Sequence, residues 1–116
     1  MEEKDIILTD EEKGEQAAGN SGVYIHKFKK PFTWEGVTYD ALTFNFEGLK
    51  GSDLEAVEEE MSAAGQYAIS PEYSVIYILR LAARAAGVHS SVIENLPLHD
   101  ANVIRGKTKT FLLRGE

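Results

Sequence analysis

The sequence predicts an α+β fold: an N-terminal β-hairpin or small antiparallel sheet followed by a bundle of three to four helices. Three observations predict it. Val, Tyr, Phe, Trp and Thr crowd into residues 23–47, where Leu42, Phe44 and Phe46 alternate with Thr43, Asn45 and Glu47 in the period of a half-buried strand. After "EGLKG" the apolar spacing lengthens to the 3.6-residue period of helices. Helix starts and stops then punctuate the chain, among them Ser70-Pro71 and the glycines Gly65 and Gly87. A length of 116 residues with 43% apolar content suits one domain, and the absence of cysteine means that no disulfide holds it.

Residues 1–22, "MEEKDIILTDEEKGEQAAGNSG", offer little to bury beyond Ile6, Ile7 and Leu8 and are expected to form a flexible acidic arm. A single α+β domain is expected over 23–116. Its hairpin, 23–47, pairs a strand at 37–46 with one at 23–28 across a Glu35-Gly36 turn. Pro31 lacks a backbone donor and belongs at an edge or bulge, where Lys27, Lys29 and Lys30 also discourage foreign pairing.

The first helix is expected at about 52–65, with Ser52 and Glu55 as a capping box and Leu54, Val57, Met61 and Ala64 as its inward stripe. The second, at 71–87, takes Ser70 as cap and Pro71 as its first residue. "EYSVIYILRLAARAAG" is apolar around most of its circumference, which describes a central helix covered on several sides. A short turn at 90–95, capped by Ser90 or Ser91, holds Val92, Ile93 and Leu96. The last helix, 97–113, presents Leu98, Ala101, Ile104, Thr108, Phe111 and Leu112 on one face, with Gly106 weakening its middle.

The net charge of −7, from 19 acidic and 12 basic residues, argues against nucleic acid as a partner. No segment has the roughly 18 unbroken apolar residues of a membrane span or the pattern of a secretory signal, so a cytoplasmic protein is expected. His26, His89 and His99 have no chelating spacing, and no phosphate-binding glycine loop occurs, so no metal or other cofactor is expected. His99-Asp100 lacks a nucleophile elbow, and Asp100 is better placed as an anion at the positive end of a helix. No catalytic residue is assigned.

One stripe of the second helix carries polar tips: Tyr73, Tyr77, Arg80 and Arg84. Two readings stand: the residues border the core while the arginines pair with the acidic first helix, or they form a tyrosine-arginine contact surface. With Trp34, Phe111 and Leu112 they make up the candidate partner interface.

The order of these segments resembles the small tail assembly chaperones of long-tailed bacteriophages and prophages, in their Mu-like and P2-like versions. The likeness rests on Pro31 and Gly36 in "KKPFTWEGVTYDALTFNF", on Gly51, Asp53 and Leu54 opening a helix, and on Gly87, Leu96, Asp100, Val103, Phe111 and Leu112 toward the end. The resemblance implies a non-enzymatic protein of the bacterial host cytoplasm that binds the tape measure protein, keeps it soluble and helps recruit tail-tube subunits. Self-association is a further expectation. The alternative is a small structural subunit, such as a tail completion or tube-associated protein.

Overall fold

The computed structural model describes residues 22–67, 69–71 and 74–114. The acidic arm, apart from Gly22, lies outside the described residues, as does Tyr73. The fold is α+β: a two-stranded antiparallel sheet, then helices.

Strands β1 (Val23–Trp34) and β2 (Val37–Asn45) form the hairpin. Glu35 and Gly36, with φ of 51° and 81°, make the expected tight turn. Strand β1 extends beyond the expected 23–28 because its pairing resumes after a bulge. Lys27 faces Ala41 and Phe32 faces Tyr39, so residues 28–31 stand opposite Asp40 alone. Pro31 sits in that bulge, where no ladder bond requires its missing N–H. Tyr24, His26, Leu42 and Phe44 alternate inward, and the other face of the sheet is largely open.

After a 3₁₀ turn at Phe46–Gly48 come helices α1 (Gly51–Ala63), α2 (Val75–Ala86), α3 (Ser90–Glu94) and α4 (Leu98–Arg114). Helix α2 lies at the centre and packs on β2, α1, α3 and α4, which accounts for its apolar circumference. Gly87 closes it in the left-handed conformation, φ 70°, as expected.

Three caps differ from the expected ones. Helix α1 begins after Lys50 rather than Ser52, because the Asp53 carboxylate accepts from the Lys50 N–H at 2.8 Å and so ties the first turn shut. Helix α2 begins after Ser74 rather than Ser70. The Ser74 N–H closes a separate turn on the Pro71 carbonyl, while its hydroxyl accepts from the Tyr77 N–H at 3.2 Å. Helix α3 is capped by His89, whose Nδ1 accepts from the Ser91 N–H at 3.1 Å, not by either serine.

Three expected inward residues also face out. Leu54, Ala64 and Leu98 are exposed. On α1 only Val57 and Met61 are buried, because the side facing α2 also carries Asp53 and Glu60 opposite the arginines. On α4 the inward line starts at Ala101 and runs through Ile104 and Thr108, whose hydroxyl donates to the Ile104 carbonyl at 2.8 Å.

The main core joins Tyr24, Leu42, Phe44 and Phe46 of the hairpin side to Ala82, Ala83, Ile93 and Ile104 of the helices. A second cluster gathers Val57, Met61, Tyr77 and Leu81 between α1 and α2, with Leu112 of α4 against it. Phe111 stacks on Phe46, ring centroids 5.4 Å apart, and so closes the main core from the other side.

Candidate functional site

The acidic face of α1 and the basic stripe of α2 meet through ion pairs. Arg84 Nε donates to Asp53 at 2.8 Å and its Nη1 to Glu60 at 3.3 Å. Arg80 donates to Glu60, Gln66 and Ser90 at 3.3–3.4 Å. The Lys50 N–H and then the Arg84 guanidinium hold the Asp53 carboxyl below its ordinary range, and the same Asp53 contact raises Arg84. The arginines thus make the expected pairing with the acidic first helix, while Arg84 stays exposed. Around them Ala83, Val88, His89 and Ser90 line a shallow cleft of about 330 Å³.

A buried polar chain ties the hairpin to α4. Tyr24 Oη lies 2.8 Å from His26 Nδ1, and His26 Nε2 lies 2.7 Å from Asp100 Oδ1. A carboxylate only accepts, so Nε2–H donates to Asp100; in the neutral ring Nδ1 then accepts from the tyrosine hydroxyl. His26 is fully buried and Tyr24 nearly so. His26, rather than the neighbouring His99, is thus the histidine that Asp100 engages, across 74 positions of sequence.

Nor do His89 and Ser91 assemble a nucleophile with its base. The ring nitrogen 3.0 Å from the Ser91 hydroxyl is the one that caps α3, and no carboxylate among the described residues orients the ring from behind. Among the described residues no three His, Asp or Glu side chains cluster to hold a metal, and no helix is long and apolar enough to cross a membrane.

The described residues among the sequence-named interface candidates have unlike surroundings. Tyr77 is buried in the α1–α2 cluster, where burial and the nearby Glu58 raise its phenol above its ordinary range. Arg80 and Arg84 are held by α1 as above. Leu112 and Phe111 are half-buried against the two core clusters. Trp34 ends β1 at the hairpin tip, half-buried and outside both clusters.

A surface the sequence reading passed over lies between α1 and α2. Tyr67, Ile69, Val75 and Ile76 are all exposed, and Tyr67 also lines a second cleft with Glu58, Met61, Ser62, Gln66 and Tyr77. The signal was present: "GQYAISP" places large apolar residues among Gly, Ser and Pro, outside any helical stripe that could bury them.

Comparison with protein-family models, with curated proteins and with solved structures finds no significant match in any of the three.

Proposed function

We propose that this chain is a non-catalytic protein-binding module, acting as a tail assembly chaperone of a phage or prophage in the bacterial cytoplasm. In this role it holds the tape measure protein in soluble form and helps to recruit tail-tube subunits. The observation that carries the proposal is the exposure of four large apolar residues, Tyr67, Ile69, Val75 and Ile76, which follow the acidic helix α1 in the chain. A protein that keeps a long apolar client soluble needs such a surface together with enough net charge to remain dispersed, and the chain carries −7. The segment order that resembles the chaperones points the same way.

Co-expression tests it. A tape measure protein co-expressed with the chain should move from the insoluble to the soluble fraction and co-purify with it. The chain should also be absent from purified tails. Its presence there in fixed stoichiometry would favour the structural-subunit alternative, and unchanged solubility without co-purification would remove the chaperone reading.

A further inference from the structure

The hairpin outruns the helices that cover it. Its buried residues, Tyr24, His26, Leu42 and Phe44, all lie on the side of the bulge away from the turn, and none of residues 28–34 or 37–41 is buried. The register places the side chains of this outer half. Phe32 faces Tyr39 and Trp34 faces Val37, and residues two apart on a strand share a face, so these four form one apolar side. Thr33 and Thr38, whose hydroxyls hydrogen-bond at 2.9 Å, take the other. The Phe32 and Tyr39 rings stack with centroids 6.3 Å apart, and Phe28 adjoins Phe32 at 6.0 Å. These three rings are half-buried at the margin of the main core, Trp34 is half-buried beyond it, and Val37 is 49% exposed. An aromatic row thus runs out of the core with one flank open to solvent.

Charge is ordered along the same hairpin. Lys27, Lys29 and Lys30 stand exposed at the bulge with Asp40 opposite, and Glu35 stands exposed at the turn. Lys29, Lys30 and Glu35 form no ion pair among the described residues. An apolar face with a basic end and an acidic end is complementary to its own reverse. A two-fold axis running across the strands through the middle of the patch lays the turn of one copy over the bulge of the other, so that Glu35 meets Lys30. An axis along the strands would instead set Glu35 against Glu35 and lysine against lysine, which disfavours it.

We propose that two copies of this chain pair through the outer halves of their hairpins, Phe32, Trp34, Val37 and Tyr39 of each against those of the other, in antiparallel order with Glu35 meeting Lys30. Four half-exposed side chains offer well under the roughly 800 Å² per partner of a standard interface, so the pairing is a reversible equilibrium and not a permanent dimer. The surface is separate from the residues that carry the chaperone reading, and neither depends on the other.

Sedimentation of the full chain from about 1 μM to 1 mM should show monomer giving way to dimer. Trp34 is the sole tryptophan, so its emission should move to the blue over the same range as water leaves the patch. Val37→Asp, at an exposed strand end, should raise the dimer dissociation constant at least tenfold. Glu35→Lys and Lys30→Glu should each raise it several-fold, because every contact occurs twice in a two-fold pair. The two together should bring it back to the parent value. Glu35→Lys also reduces the net negative charge, so weaker pairing there cannot come from general repulsion.

A chain that stays monomeric throughout overturns the proposal. So does a dimer that Val37→Asp leaves unchanged, which would put the contact elsewhere. A dimer that the combined charge variant fails to restore refutes the antiparallel order and the proposal with it.

Discussion

Replacing Asp100 with alanine removes the acceptor of a hydrogen bond, 2.7 Å long, from a histidine that is fully buried. The sequence offers a smaller role for Asp100, an anion in the first turn of α4, worth about 0.3–1 kcal/mol through the helix dipole. The structure adds the cost of stripping a buried donor of its partner, about 1–3 kcal/mol. Asp100→Ala should therefore lose about 2–3 kcal/mol in urea unfolding. At about 4 °C per kcal/mol for a chain of this size, its melting temperature should fall by roughly 10 °C. A double-mutant cycle with His26→Leu separates the two contributions. The dipole acts whether or not His26 is present, so it predicts no coupling, whereas the hydrogen bond predicts a coupling of about 0.5–3 kcal/mol. The double variant should be more stable than the two single losses combined would allow, since removing both partners leaves neither group stranded. A loss below about 0.5 kcal/mol for Asp100→Ala, or a cycle that closes with no coupling, would refute the bridge between hairpin and α4.

Other outcomes follow from single positions. Gly106 sits in mid-helix, where an added Cβ would meet nothing within 4 Å, so Gly106→Ala should raise stability by about 0.5–1 kcal/mol in the same assay. Gly22, by contrast, has φ +74°, and a Cβ there would lie 2.9 Å from Cβ of Glu47. Gly22→Ala should cost more than about 1 kcal/mol and lower the melting temperature accordingly. The folded chain holds the Asp53 carboxyl below the ordinary value of 3.8, so its stabilising contribution is present above that value and fades as pH falls through the lower folded one. Asp53→Asn should therefore be less stable than the parent by about 0.5–1 kcal/mol near pH 7, a modest amount because the ion pair meets solvent. Unfolding curves recorded down the acid range should see that difference shrink, and a difference independent of pH would disprove the linkage.

Hairpin and central helix were legible in the sequence because each depends on a local period. The alternation of Leu42, Phe44 and Phe46 needs no distant partner to be read as a strand, and "VIYILRLAARAA" declares a covered helix by its composition alone. Gly36 and Gly87 were equally plain, since a positive φ at a turn or helix end favours glycine wherever the rest of the chain lies. Caps were less legible. Ser52, Ser70 and Ser90 were all competent, and the choice fell to Lys50 with Asp53, to Ser74 and to His89. Several neighbouring residues can satisfy the first N–H groups of a helix at similar free energy, and packing then selects among them.

What the sequence by itself determined is the order and type of the elements, from residue periodicity and from glycine and proline stereochemistry. What only the tertiary structure decided is which polar residue meets which. His26 bonds Asp100 while His99 does not, because strand β1 and the first turn of α4 are brought side by side by a core built from residues remote in sequence. Arg80 and Arg84 pair with α1, because Asp53 and Glu60 stand opposite them across the α1–α2 contact. The exposed surface around Tyr67 and Ile69 is left over for the same reason. Helix α1 closes at Ala63 and α2 opens at Val75, and between them Tyr67 and Ile69 stand exposed rather than covering the core. Contacts between groups far apart in the chain depend on three-dimensional placement, which a one-dimensional period does not encode.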